Sequence, residues 1–309
     1  MINSRMPYIP RLKLWLNERF PIINFVSGVF IYLLAKSVSG RLAGVSQLGF
    51  TKEIAASLVP MMHLFLLRVF DEHKDFESDK INYPDRILQK GIFTLSEIKR
   101  LGWFSFLIEV VSFGFVFYIS SWDLSVLGLF IFLWVWTGLM TKEFFARNWL
   151  KGRFLLYGFS HLLITPILFL SCISLANPKF SWSAPVLLSL LLSLLTGWLY
   201  EVTRKTKAPE EEKTHDKSYS QIFGIKTSLV VIALSLLSTH IVIWLLFREL
   251  DISFWVYGFF GLPLLFISLF SLYTFYKVPT PKNRKKNEQA VGLAALFAYL
   301  IPIVCWLWR

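Results

Sequence analysis

Nine stretches of this chain run for about twenty residues each with almost no charge, and nothing else in the sequence constrains the fold as strongly. They span approximately residues 21–40, 51–70, 98–121, 124–141, 154–175, 183–203, 222–247, 253–276 and 288–308. A hydrocarbon core of ~30 Å is crossed by about 20 apolar residues in a helix. The expected fold is therefore all-α, a polytopic membrane bundle of nine transmembrane helices in a single integral-membrane domain, residues 1–309. A content of 55% hydrophobic and 17% aromatic residues, with mean hydropathy +0.56, agrees. Pro60, Pro166, Pro263 and Pro302 fall inside the runs. In lipid, neighbouring groups re-satisfy the carbonyl a proline frees, so kinks are expected there, not breaks. The first run begins near Pro21, too long and too late for a cleavable signal peptide.

The net charge of +12 is read as the cationic excess of cytoplasmic loops, not as a nucleic-acid surface. With the N-terminus inside, the inner face holds the N-terminal tail (Arg5, Arg11, Lys13, Arg19) and the loops after helices two, four, six and eight. Only about six of the 32 Lys and Arg then fall outside, at Lys36, Arg41, Lys52, Lys179, Arg248 and Arg309. That asymmetry predicts N-in and C-out. Trp103 and Trp149 are expected at the inner boundary, and Trp122, Trp182, Trp255, Trp306 and Trp308 at the outer one. Cys172 and Cys305 sit in apolar runs without metal-ligand spacing and are expected as free thiols. "PTPKNRKKN", residues 279–287, reads as an exposed basic loop near anionic headgroups.

"RVFDEHKDFESDKINYPDR", residues 68–86, breaks this pattern, crowding Asp71, Glu72, Asp75, Glu77, Asp79 and Asp85 directly after the second run. Asp71, Asp75 and Asp79 recur every four residues, so a helix continuing past Phe70 places them near one face. Like charges at that spacing need compensation. Mg²⁺ suits them, because it takes one or two carboxylates and completes its shell with water and phosphate oxygens. A charge at the bilayer centre costs about 2.5–3.5 kcal/mol, which directs such a cluster to a watery cavity or the cytosolic mouth. Arg68, Lys74, Lys80 and Arg86 interleave with the acids, and Lys142 and Arg147 come from the next inner loop. Cations mixed with metal-binding carboxylates suit a polyanion carried with its metal, such as diphosphate. A solvated, self-neutralising loop stays open as the bland alternative.

A second acidic inner loop follows helix six, "YEVTRKTKAPEEEKTHDKSYSQIFG", residues 200–224, with Glu201, Glu210, Glu211, Glu212 and Asp216. Two acidic loops, each after an even-numbered helix and four helices apart, hint at an internal repeat with two half-sites. Glu201, at the end of helix six, is the preferred second metal ligand or the group that positions Arg204. "APEEEK" reads as an exposed loop. Lys205 carries donors only and cannot ligate a metal. Tyr219 and Ser220 either contact diphosphate or cap helix seven. His63 lies eight residues before Asp71 and either serves the acceptor or is a hydrogen-bonded buried histidine. His161 must find a partner in its apolar run.

"DEHKDFESDKINYPDR" resembles the first signature of the UbiA-type intramembrane prenyltransferases, N-D-x-x-D-x-x-x-D followed by D-x-I-N-x-P-x-R. Asp71 stands where that family usually has Asn, and Glu72 where it has Asp. Asp75, Asp79, Ile81, Asn82, Pro84 and Arg86 match. The nine-helix pattern extends the resemblance over the whole chain, to a bacterial subgroup. The second family motif, D-x-x-x-D, departs: Glu201 heads it and Lys205 occupies the second aspartate place.

The resemblance implies a UbiA-like bundle in a bacterial cell membrane, with Mg²⁺ as cofactor and an isoprenyl diphosphate and a small lipophilic or aromatic acceptor as partners in the bilayer. It implies a transferase of prenyl groups. Asp71, Asp75, Asp79, Glu201 and Lys142 are its expected catalytic residues. The metal falls to Asp71, Glu72, Asp75, Asp79, Glu201 and Glu212. Diphosphate falls to Arg68, Lys74, Asn82, Arg86, Arg204, Lys205 and Tyr219. Three other readings compete. One is a different transfer from an activated diphosphate, and one is a non-catalytic isoprenoid- or quinone-binding protein, which Lys205 favours. A secondary transporter is disfavoured because the polar groups gather at one face and not at the midplane.

Overall fold

The structure, a computed structural model, describes residues 6–43, 49–213 and 217–307. Arg5, Asp216, Trp308 and Arg309 lie outside the described residues, as do the side chains of Arg41 and Lys151. Among the described residues nine helical spans are long and apolar enough to cross a membrane. A short helix α1 (Tyr8–Arg19) precedes α2 (Ile22–Ala43), α3 (Phe50–Asn82), α4 (Leu95–Ile119) and α5 (Leu124–Thr141). The turn α6 (Arg147–Lys151) leads to α7 (Phe154–Leu162) and α8 (Ile164–Ala176), which form one span. Then come α9 (Ala184–Arg204), α10 (Tyr219–Phe223), α11 (Ile225–Glu249), α12 (Phe254–Val256), α13 (Leu262–Lys277) and α14 (Pro281–Leu307).

Two expectations need correction. "PTPKNRKKN" is not an exposed loop. From Pro281 onward it forms the first turns of α14, where Asn287 is buried. Proline at a first helical position is pre-organised for the helix, and Arg284 pairs with Glu288 one turn on at 2.6 Å. The N-terminal tail is likewise a helix, α1.

The prolines behave in two ways. Pro60 and Pro302 lie inside continuous helices. At Pro166 the α7–α8 span is interrupted at Leu163. The missing proline N–H frees the Leu162 carbonyl, which instead accepts from the Thr165 hydroxyl at 3.1 Å. Pro263 comes two residues after the end of a π-helical turn, Tyr257–Gly261, another way of absorbing a lost bond.

The chain forms two compact units. The first comprises residues 1–33, 45–147 and 171–178, and its main packing is α3 against α4. One core cluster gathers Trp15 and Phe20 from α1 and the turn after it, Phe65 and Val69 from α3, and Leu88, Phe93 and Ile98. Trp15 stacks on Phe93 with ring centroids 5.8 Å apart. Helix α4 starts at a capping box: Thr94 accepts from the Glu97 N–H, and the Glu97 carboxylate accepts from the Thr94 N–H. The second unit comprises residues 34–44, 148–170 and 179–309, built on α9 against α11 and α13 against α14. Gly224, with φ +79°, makes the sharp joint between α10 and α11 that a side chain would strain.

Phe104, Leu107, Val111, Phe266 and Phe270 are exposed on their spans, as lipid-facing residues are, and Trp103, Trp122, Trp149, Trp182 and Trp255 are exposed as well. Cys172 and Cys305 are free.

Gly28 of α2 sets how closely α3 approaches within the first unit. A Cβ added there would meet the Met61 Cα at 2.5 Å, a backbone atom that cannot step aside. Gly28→Ala is therefore expected to destabilise by about 1–3 kcal/mol. Gly114→Ala, whose added Cβ meets nothing within 4 Å, is expected to be neutral or better. Thermal unfolding of the two variants in one detergent checks the pair.

Candidate functional site

Helix α3 does not end with its apolar run but continues to Asn82, which lifts the whole acidic motif onto a rigid helical end. The carboxylates there divide into two kinds. Glu72 is 2% exposed and is gripped by cations: its Oε1 accepts from Arg19 Nε at 2.6 Å and from Arg68 Nε at 2.9 Å, with a second bond from Arg68 Nη2. Asp79 is also buried; it bonds to Arg86 and has Arg19 Nη2 at 3.6 Å. Arg86 is steadied from below by the Tyr83 ring, 3.7 Å from guanidinium carbon to centroid.

Asp71 and Asp75 are different. Asp71 is about half exposed and has Lys74 at 3.7 Å. The half-buried Asp75 carboxylate makes no hydrogen bond or ion pair among the described residues, though Lys74, Asp71, Asp79 and Arg68 are the charges that act on it. The compensation that like charges at this spacing require thus comes from arginine for Glu72 and Asp79, while Asp71 and Asp75 keep accessible oxygens. Asn82 is half-buried on the last helical turn.

Lys142, at the C-terminal end of α5, is exposed and lines a cavity of about 460 Å³ with Phe70, Trp134, Val135, Thr137, Leu139 and Phe145. Glu143, Phe144 and Phe145 follow with φ of 50°, 54° and 54°, a left-handed run that bulky residues rarely adopt. Buried Glu143 pairs with Arg147 at 3.0 Å.

In the second unit Glu201 lies against Arg204 at 2.8 Å and Lys205 at 2.6 Å. Lys205 also sits 5.8 Å from the Phe154 ring centroid. Glu212 accepts from the Ser218 hydroxyl at 2.7 Å and the Ser220 hydroxyl at 2.6 Å, and so closes its own loop. "APEEEK" is not simply an exposed loop: Ala208 is fully buried, Pro209–Glu211 is a 3₁₀ turn, and Glu211 pairs with Arg284 at 2.7 Å. Tyr219 is buried against Phe154 and Trp198, and its N–H donates to the Lys205 carbonyl at 3.0 Å. Burial first, and then the Glu201 carboxylate, push the Tyr219 phenol well above its usual range, against the pull of Arg204. It is a neutral hydroxyl at any ordinary pH. Ser220, besides donating to Glu212, accepts from the Lys207 N–H at 2.7 Å.

Among the described residues no group of three or more His, Cys, Asp or Glu is arranged to hold a metal by itself. Mg²⁺ does not demand such a cage, since one or two carboxylates plus phosphate and water oxygens suffice. The hard oxygens of Asp71 and Asp75, one helical turn apart on an exposed helix end, fit that mode of binding.

Deeper in the first unit, His63 is the hydrogen-bonded buried histidine. Its Nδ1 meets Glu109 Oε1 at 2.9 Å and its Nε2 meets Thr137 Oγ1 at 3.1 Å, all three residues being at most 1% exposed. His161 meets the Tyr157 carbonyl at 2.9 Å. Sequence reasoning missed Arg19, Glu109 and Thr137. A lone acid in the middle of an apolar run was a usable signal for Glu109. Arg19 had none, because its partners are 53 or more residues away.

No family model and no curated protein matches this sequence. Two solved structures resemble it over nearly their whole length. One, described for digeranylgeranylglyceryl phosphate synthase in membranes, covers 97% of this chain and 100% of its own at 19% identity, with a TM-score of 0.63. The other, the apo structure of a UbiA homolog from Aeropyrum pernix K1, covers 90% of this chain and 96% of its own at 12% identity, with a TM-score of 0.58. At such identities the likeness establishes the fold. This chain has the UbiA-type fold, and its nine apolar spans make it an integral membrane protein.

The Arg19–Glu72 contact is expected to be a strong internal tie of the first unit. In a double-mutant cycle of Arg19→Gln and Glu72→Gln, the coupling should reach about 0.5–3 kcal/mol. Urea unfolding in detergent at low and high salt measures it, and a buried pair should lose little of the coupling to salt.

Proposed function

We propose that this protein is a Mg²⁺-dependent membrane prenyltransferase, moving an isoprenyl group from an isoprenyl diphosphate to a lipophilic or aromatic acceptor. The observation that carries the reading is the end of α3. There, open carboxylates (Asp71, Asp75) stand beside carboxylates held by arginine (Glu72 with Arg19 and Arg68, Asp79 with Arg86). Such a set suits a metal diphosphate, which brings a cation for the acids and an anion for the arginines. Asp71 and Asp75 would hold the metal, and Arg68 and Arg86, which already pair with Glu72 and Asp79, would offer charge to the phosphate oxygens.

When bound, Mg²⁺ supplies Lewis-acid charge to the diphosphate. Arg68, Arg86, Lys74 and Lys142 offer further positive charge to the leaving group, and Asn82 offers an amide donor. The C1–O bond of the isoprenyl diphosphate breaks with its electron pair leaving on the diphosphate. The acceptor bonds to C1 and its proton passes to the departing diphosphate or to water. In the second unit, Arg204 and Lys205, ordered by Glu201, present the same chemistry to an oxyanion, with Tyr219 as a neutral donor. Glu201 then serves the cations that stand in for part of the second metal motif, and Glu212 serves its loop. We place the protein in a cell membrane, a bacterial inner membrane as the subgroup resemblance implies, with its N-terminus in the cytosol.

Purified protein given a radiolabelled isoprenyl diphosphate and an acceptor extract across a Mg²⁺ titration tests the reading. Asp75→Ala should lower metal-dependent transfer by ~100-fold or more while the protein still elutes as a folded species. Asp71→Asn should be tolerated far better. Tight diphosphate binding with no turnover in the unmodified protein would replace the enzyme by a non-catalytic isoprenoid binder.

Orientation is checked by single cysteines at Ser78 and Glu210 in a cysteine-free background. Both should be labelled only after the membrane is opened to the reagent from the cytosolic side. Labelling from the outside in intact cells would invert the topology.

A further inference from the structure

The first unit holds a polar cluster that diphosphate chemistry does not use. His63, Glu109 and Thr137, from α3, α4 and α5, meet where each is at most 1% exposed. The hydrogens can be assigned by elimination. The Thr137 hydroxyl donates to the Leu133 carbonyl at 2.8 Å, so toward His63 it accepts, and Nε2 carries a proton. The bond between Nδ1 and Glu109 Oε1 then holds one shared proton. Whichever side keeps that proton, Glu109 Oε2 remains an acceptor. It has no hydrogen-bond partner among the described residues.

A second group beside the same imidazole is also without a partner. Trp134 packs edge-on against the His63 ring, centroids 5.3 Å apart, and its Nε1–H is buried with no acceptor among the described residues. A fully buried carboxylate oxygen lacking a donor costs several kcal/mol in apolar surroundings, and an indole N–H lacking an acceptor adds to it. One acceptor and one donor are thus left over around one ring. A hydroxyl answers both, donating to the carboxylate and accepting from the indole. An anionic ligand meets repulsion from Glu109, and an ammonium offers nothing for the indole to donate to.

Trp134 and Thr137, which cover His63, also line the cavity of about 460 Å³. Its other walls are mostly apolar, Phe70, Val135, Leu139 and Phe145, with Thr141 and Lys142 as polar members. Phe70 is the residue before Asp71. The cavity therefore reaches from the edge of the acidic motif to Trp134 and Thr137, the wall behind which His63 and Glu109 are buried, and it has the volume of a small-molecule site.

We propose that the His63–Glu109 pair and Trp134 form a hydroxyl-binding subsite for a lipophilic alcohol or phenol seated in this cavity. Resting on the prenyltransferase reading, that ligand is the acceptor. His63 and Thr137 act as positioning residues: they fix the Glu109 carboxylate so that Oε2 stays available. The subsite selects acceptors with a free hydroxyl over their ethers, because an ether cannot donate to Glu109.

The test uses the intact protein in detergent with two probes of nearly equal shape, 1-naphthol and 1-methoxynaphthalene. Binding is followed by isothermal titration, and the carboxyl stretching bands by infrared difference spectroscopy. Unmodified protein should bind the naphthol ~10-fold or more tightly than the ether, with a shift of a buried carboxyl band that the ether does not produce. Glu109→Gln should erase most of the preference and the band. Trp134→Phe should reduce the preference while keeping the band, a split that a packing defect does not give. Equal affinity for the two probes, no naphthol binding at all, or an unchanged preference in Glu109→Gln overturns the subsite. If transfer is never detected yet the hydroxyl preference and its Glu109 dependence hold, the subsite stands and the enzymatic reading falls.

Discussion

The grip of Arg19 and Arg68 on Glu72 is the interaction on which the motif-bearing end of the first unit depends. A carboxylate 2% exposed at the foot of a membrane helix is tolerable only with cations that match its geometry. Arg19 closes α1, so satisfying Glu72 fixes where α1 lies. Arg11, two turns earlier on α1, reaches the Glu97 carboxylate at 2.8 Å, and Glu18 accepts from the Ile87 N–H at 3.0 Å. Three polar contacts thus staple α1 to the end of α3, to the loop after it and to the start of α4. Trp15 packs beneath them. The consequence for chemistry is rigidity. The acids at the end of α3 are held by a supported helix and not by a loose loop.

The two acidic segments reach neutrality by different routes. After α3, the cations come from far along the chain as well as near it. After α9, Glu201 is satisfied by Arg204 and Lys205, three and four residues on. Lysine in the place of the second aspartate therefore does not leave a stray charge, because it folds back on the acid that heads the motif. Glu211 is taken by Arg284 of α14, and Glu212 by two serine hydroxyls. The second segment is organised around cations, whereas the first keeps two carboxylates accessible.

How much of this was legible follows from the range of each interaction. The spans could be read because bilayer thickness imposes one length on all of them. The motif at 68–86 could be read because its order is local, every partner but Arg19 lying within a few turns. Helix α1 escaped because twelve residues with alternating Arg, Leu and Trp carry no membrane signature, and its partners are more than fifty residues away. The start of α14 escaped for the opposite reason. Its Lys- and Arg-rich composition suggested a loop, yet those residues are good helix formers behind an N-terminal proline. His63 was recognisable as a group needing a partner, but Glu109 and Thr137 are 46 and 74 residues distant, and no local pattern announces such a meeting.

Inside the spans, most hydroxyls settle their debts locally. Ser189, Thr196, Ser235 and Thr239 each donate to the carbonyl four residues back. A hydroxyl disposed of in this way says nothing about function. A carboxylate has no such exit, since it carries no proton to give a carbonyl and no helix interior offers it a free N–H. Glu109 must therefore be served across helices, and His63 serves one of its two oxygens. Thr137 shows the same logic from the other side. Its proton goes to Leu133, which leaves its lone pairs to receive the imidazole and commits the ring to one tautomer at Nε2. The ordinary back-bonding of one threonine thus dictates that the unmet demand of the cluster falls on the second carboxylate oxygen.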